Sequence, residues 1–252
     1  MQKYDVPYSY LVSLLIRNRE LGLTLTECAL QAVDRCGFNQ AKDLRSLALL
    51  KAYEHITAIV EKEGAELASM GKEPCYHNRV HFADVVTALS IFLKYSKKVS
   101  AYDGLLALLV AVCHDLGHQG KKHAQLPQSQ EALTAARVLD QLRQFVSQNE
   151  LAKIEKMILG TDPRVVDDNH NRYLSAPLDT DLYLMVLINE ADIFASLTSE
   201  LGPNLTEALL KENGKESPQI KEISTLLNHF KSQAKITTEI SKYFLNLDEC
   251  GV

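Results

Sequence analysis

An apolar run beginning at Leu105 and ending at Cys113 delivers an adjacent His114-Asp115 pair into what would otherwise be core. Packing has no use for an imidazole beside a carboxylate there, and a buried charge needs a partner. A metal ion is one such partner, because neutral imidazole nitrogen and carboxylate oxygen ligate Zn²⁺, Mn²⁺, Mg²⁺ and iron. His118 follows at i+4 from His114, so both rings share a face if the helix continues; Gly117 argues that it is already unwinding. For an isolated pair, a helix end whose His and Asp cap or bond locally is the more economical explanation.

The 252 residues, 46% of them hydrophobic, suffice for one large domain, and one domain is the expectation. The net charge of −5 and the lack of a long basic run speak against a nucleic-acid partner. Small anionic substrates stay open, because bound cations invert the local field. Five cysteines, at 28, 36, 75, 113 and 250, are odd in number and scattered, which suits reduced thiols in a cytoplasmic protein. The apolar run Leu105–Cys113 falls far short of the ~20 residues that span a bilayer, so no membrane span is expected.

Helical periodicity recurs along the chain and period-two alternation does not, so the fold class is all-α, a compact multi-helix bundle. Two short helices are expected within residues 9–34 and a long amphipathic one over Asp43–Leu67, ended near Gly71 and Pro74. A further helix runs through Leu89, Phe92 and Leu93, and Asp103 is read as the N-cap of the helix that carries Leu105 to the His-Asp pair. Residues 119–127 read as a loop over the site, followed by helices over about 129–147 and 149–160. Polar residues make Arg164–Pro177 an exposed loop. An apolar helix, Leu182–Leu197, then contains Glu190-Ala191-Asp192, and a last helix covers Gln219–Leu245. The chain thus divides into N-terminal helices (1–40), a central part (45–200) and C-terminal helices (203–252).

His77 and His81 stand at i, i+4; His114 and Asp115 come from a second helix; Asp192 sits within a third. A cap explains His77 alone, and a satisfied buried histidine explains His81 alone. Asp192, inside Leu-Ile-Asn-Glu-Ala-Asp-Ile-Phe, must be paired, metal-bound or neutralised, whereas its neighbour Glu190 is expected to face solvent. Together these residues make a mixed nitrogen and oxygen ligand set.

Tyr76-His77-Asn78, then His81 and Asp84-Val85, resembles the signature of the class I 3′,5′-cyclic nucleotide phosphodiesterase catalytic domain; His114-Asp115 with His118 and Gly120 resembles its second metal motif. Leu159-Gly160-Thr161-Asp162 is similar to the family's Leu-Ala-Thr-Asp, and Ala191-Asp192 to its Ala-Asp. Both motifs belong to the wider HD-type phosphohydrolases. The resemblance implies that His81, His114, Asp115 and Asp192 hold a tightly bound ion, Zn²⁺, with Asp115 reaching a second, Mg²⁺ or Mn²⁺. It implies His77 as general acid, opening the ring of cAMP or cGMP to the 5′-monophosphate. His118 and Glu131 fall near the second ion, Tyr76 and Asn78 orient the loop around His77, and Thr161 and Asp162 line the pocket. Elementary chemistry agrees: two ions lower the pKa of a water between them, and an imidazolium can protonate the departing ribose oxygen.

The pattern departs at His123, where the family usually has Asn, at Gly117, usually Asp, and at Asn189-Glu190, usually a His-Cys type pair. The chain is also shorter than a typical family domain, mostly after residue 140. In the C-terminal part, where the family grips the purine, the candidates are Phe230, Gln233, Tyr243 and Phe244, and packing explains them more cheaply. Another nucleotide or phosphate ester therefore stays open as substrate, as does a helical binding module without turnover. Oligomeric state is not legible.

Overall fold

Ser, Thr, Asp or Asn occupies the N-cap of most helices, and each takes a backbone N–H of the first turn onto its side chain. The computed structural model describes residues 4–96, 99–118, 120 and 128–247. Among them are α1 (Tyr10–Glu20), α2 (Leu25–Cys36), a 3₁₀ turn (Phe38–Gln40), α3 (Leu44–Ser69), α4 (Arg79–Tyr95), α5 (Ala101–Cys113), α6 (Gln130–Leu142) and α7 (Gln148–Leu159). There follow α8 (Pro163–Ser175), α9 (Thr180–Leu197), α10 (Gly202–Glu212), α11 (Ile220–Gln233) and α12 (Glu239–Phe244), with no strand among the described residues. The fold is all-α.

Three helices are apolar nearly all round, and they form the centre. In α4 every residue from His81 to Leu93 is buried, in α5 every residue from Gly104 to Cys113, and in α9 nearly all from Leu182 to Ser196. These three pack on one another, with α2 against α4, α3 against α5, and α8, α10 and α12 against α9. Residues 77–81, 114–115 and 192 all sit on this central group, so the same burial that builds the core brings their polar side chains together.

The sequence reading needs four corrections. Asp103 is not the N-cap of α5: Ser100 is, and Asp103 accepts its hydroxyl three residues on. Residues 164–177 are not a loop. Asp162 caps and Pro163 opens α8, whose Asn169 and His170 turn inward while its other polar side chains keep to solvent. The last helix is two, α11 and α12, broken at residues 234–238.

Glu190 does not face solvent either; it is fully buried. Its Oε1 accepts the backbone N–H groups of Thr237 (2.5 Å) and Thr238 (2.9 Å), and both threonine hydroxyls donate to its carboxylate. A continuous helix would use those N–H groups itself, so the buried carboxylate and the broken helix are one feature.

His123, Cys250 and the loop expected over 119–127, Gly120 excepted, lie outside the described residues. Cys28, Cys36, Cys75 and Cys113 carry free thiols. No single helix among the described residues is long and apolar enough to cross a membrane.

Candidate metal and hydrolase site

The loop before α4 is shaped by its own side chains. Asn78 caps α4 by accepting from Val80 and His81 N–H, and its amide donates to the Pro74 and Cys75 carbonyls. Arg79 bonds Glu73 through Nε (2.9 Å) and Nη2 (3.2 Å), and Glu61 of α3 through Nη1 (2.7 Å). Gly64 of α3 leaves room for that guanidinium, since a Cβ there would lie 2.5 Å from the Arg79 side chain. Tyr76 ties the loop to α9 through a 2.9 Å hydrogen bond between its hydroxyl and that of Ser196.

α5 ends at Cys113, with His114 as its C-cap, and the chain turns through Gly117 at φ +81°. The helix therefore unwinds before His118. His114 is 1% exposed and its Nδ1 donates to the Ala111 carbonyl at 2.9 Å, so in its neutral form the ring leaves the Nε2 lone pair for the site.

The four residues expected to share an ion converge. Asp192 Oδ1 lies 3.1 Å from His81 Nε2 and 3.3 Å from His114 Nε2, and Asp115 Oδ2 lies 3.4 Å from His114 Nε2. Both Nε2 atoms are fully buried, and neither makes a hydrogen bond of good geometry, although the carboxylate oxygens are close. Buried nitrogens are rarely left so. Two aimed imidazole nitrogens and two carboxylates make a donor set that fits a divalent cation. Burial disfavours the His114 imidazolium, yet Asp115 and Asp192 push its pKa up to about 9; a cation competes for the place of that proton.

His77 faces this group from the loop, its Nε2 3.9 Å from Asp115 Oδ2 and its Nδ1 2.5 Å from Glu212 Oε1. Glu212 closes α10 and also accepts the Tyr76 and His77 backbone N–H groups at 2.8 and 3.1 Å. Burial opposes a charged His77, but the Glu212 bond and the Asp115 charge outweigh it and raise its pKa above the ordinary value. Burial likewise opposes the Glu212 carboxylate, and its bond to His77 overrides that, bringing it down to about 2.

The His118 ring stacks on His77 at 3.8 Å between centroids, and its Nδ1 accepts the Gly120 N–H at 3.0 Å. His77, His118 and Glu212 stand close enough to share an ion. The Gly120 bond occupies the His118 Nδ1 lone pair, however, and His77 Nδ1 is committed to Glu212, so an acid-base pair suits these residues better.

Buried Glu131 of α6 and Thr161 line the same cavity, of about 310 Å³, as His114, Asp115 and Asp192. Asp162 turns instead to Arg164, accepting its backbone N–H at 2.9 Å and its guanidinium. None of Phe230, Gln233, Tyr243 or Phe244 lines this cavity. Phe244 is buried, the Tyr243 hydroxyl donates to the Val6 carbonyl, and Gln233 bonds its neighbour Ser232. Sequence reasoning missed Glu212, which lies beyond the central part assigned to the site. Only folding brings α10 to the His77 loop; an acidic residue at an amphipathic helix end carries no local signal of its own.

Residues 76–141 match the family model described as 3′5′-cyclic nucleotide phosphodiesterase. That span, about a quarter of the chain, is similar to the class I cyclic nucleotide phosphodiesterases. The matched span takes in the His77 loop, α4, α5, the His114-Asp115 corner and most of α6. It stops before α9 and α10, so Asp192 and Glu212 join the phosphodiesterase motifs by geometry alone. The family is metal-dependent, in keeping with the donor set.

Proposed function

We propose that the protein hydrolyses the 3′,5′ ring of a cyclic nucleotide, cAMP or cGMP, to the 5′-monophosphate. The observation that carries this reading is the convergence of His81, His114, Asp115 and Asp192, with two buried Nε2 atoms both within 3.3 Å of Asp192 Oδ1. These four side chains would hold the tight ion, Zn²⁺, and Asp115 would also serve the second, Mg²⁺ or Mn²⁺. When bound, two such ions supply Lewis-acid activation of water and of the phosphoryl group.

His77 carries a proton because Glu212 and Asp115 favour its charged form, and it delivers that proton from Nε2 to the departing ribose 3′ oxygen. Glu212 holds the ring through Nδ1 and the loop through two backbone N–H groups. His118 backs the His77 ring, while Glu131 and Thr161 act from the cavity wall; Tyr76 and Asn78 fix the loop. Asp162 contributes by starting α8.

The test is turnover of cAMP and cGMP by purified protein with Mn²⁺ or Mg²⁺, beside His77→Ala and Asp192→Ala. Hydrolysis by the wild type and loss of about 10²–10⁴ in rate for His77→Ala is the expected result. No turnover of either nucleotide contradicts it. A second reading, an HD-type hydrolase of another phosphate ester, is favoured by the remoteness of Phe230, Gln233, Tyr243 and Phe244 from the cavity; a substrate panel separates the two.

A further inference from the structure

The cavity that holds Asp192 is rich in carboxylates, with Asp115, Glu131 and Glu212 beside it, and no Phe or Tyr among the described residues lines it. Such a chamber suits cations and the phosphate they bind. Its apolar lining among those residues is Pro163 and Leu209, with no Phe or Tyr ring to stack on the rest of a nucleotide.

A second chamber of about 500 Å³ opens on the same row of residues, sharing His77, Asp115 and His118 with the first. Its character differs. Val60 and Phe82, 3% and 5% exposed, lie deep in it, Leu67 lines its side, and Met70, 57% exposed, stands at its edge. Among its charged lining residues Arg137 pairs with Glu63 and Arg79 with Glu73, while Glu66, Lys72 and Asp115 also border it. Arg137 crosses over Gly117, where any Cβ would lie 2.8 Å from its Nη1.

We propose that this second chamber takes the uncharged ring of the substrate, a nucleobase, while its phosphate sits in the carboxylate-lined chamber. Three observations point to that occupant. The two chambers border the same three residues of the site, His77, Asp115 and His118, so a ligand held at Asp115 lies at the edge of both. The apolar lining ties both of its arginines into internal pairs, which matches a neutral ring better than a phosphate or an acidic peptide. The volume exceeds what a purine or pyrimidine needs, and Phe82 with the polarisable Met70 sulfur supplies the kind of contact a flat ring favours.

This inference rests on the hydrolase reading for its phosphate end, so the experiment separates the two. With Mn²⁺-loaded protein, the Kd of adenosine 5′-monophosphate and the inhibition constant of inorganic phosphate are measured for wild type, Leu67→Trp and Met70→Glu. Weakening of nucleotide binding by about tenfold or more in both variants, with phosphate inhibition and metal content unchanged, is the expected result. Equal nucleotide affinity in all three proteins overturns the chamber assignment, whatever the turnover. Nucleotide binding that the variants weaken, without cyclic nucleotide turnover by the wild type, supports the chamber and overturns the hydrolase reading.

Photolabelling of wild type by 8-azidoadenosine 5′-monophosphate needs no variant. Label within residues 60–82 supports the assignment. Label confined to residues 202–247, or a wild type that binds no nucleotide, overturns it.

Discussion

Glu212 grips the His77 segment at three points, through Nδ1 of the ring at 2.5 Å and through the backbone N–H groups of residues 76 and 77. A carboxylate 135 residues away in sequence thus sets both the direction and the charge of the ring that faces Asp115. Glu212→Gln keeps the shape and removes the charge. It is expected to lower kcat by about 10²-fold, within the range by which positioned acids act, with metal content unchanged. Steady-state kinetics beside metal analysis checks this, and an unaltered kcat refutes the assignment.

Metal removal is expected to destabilise the wild type. An ion that binds the folded chain stabilises it by RT ln(1 + [L]/Kd), about 2.7 kcal/mol at a hundredfold excess over Kd. A chelator should therefore lower Tm for the wild type and leave Asp192→Asn, which has lost a charged donor, almost unmoved. Equal shifts in the two proteins contradict the ligand set.

Gly64 sits in the interior of α3, where Gly→Ala ordinarily stabilises by about 1 kcal/mol. Here the new Cβ meets the Arg79 stem, which the bonds to Glu61 and Glu73 hold in place. Gly64→Ala is expected to destabilise, and to lower kcat more than it changes KM, since the Arg79 clamp borders the His77 loop. Denaturant melts and kinetics read both; a stabilised variant with normal kcat contradicts the clamp.

Much of the fold could be read beforehand because its central helices are apolar and its helix starts are capped by Ser, Thr, Asp or Asn. The convergence of His81, His114, Asp115 and Asp192 followed from three polar interruptions in core helices, a signal that survives without any knowledge of packing. Glu190 shows where such reading stops. Nothing near position 190 announces that its partners are the N–H groups of Thr237 and Thr238, so its burial and the break between α11 and α12 were misread together. Residues 164–177 failed for a related reason: the polar face of a surface helix looks like a loop when Asn169 and His170 are its inward contacts.

The Glu190 network leads to its own prediction. Glu190→Ala leaves two backbone N–H groups and two hydroxyls without their acceptor, each such loss costing about 1–3 kcal/mol where water does not replace it. A total of about 3 kcal/mol is expected, read as a fall in the urea midpoint. A change below about 0.5 kcal/mol shows that the network is not holding α12 to α9.

His170 adds a pH dependence in the same region. Burial lowers its pKa below the ordinary value, against the opposing pull of Glu190, while its Nδ1 meets the Thr237 hydroxyl at 2.9 Å. The unfolded chain, with a normal histidine near 6.5, then binds the proton more readily than the folded one. This contribution to stability is whole above about pH 6.5 and declines as the pH falls below it. His170→Gln should flatten that part of the stability profile relative to the wild type; parallel profiles between pH 5 and 7 contradict the assignment.

The most direct measurement is bound metal per chain, determined for wild type, His81→Ala and Asp192→Ala after dialysis against metal-free buffer. The account predicts a tightly held divalent ion in the wild type, close to one per chain, and its loss in both variants while they keep their helical content. A wild type that retains no ion, or variants that retain it undiminished, contradicts a shared site formed by α4, the end of α5 and α9.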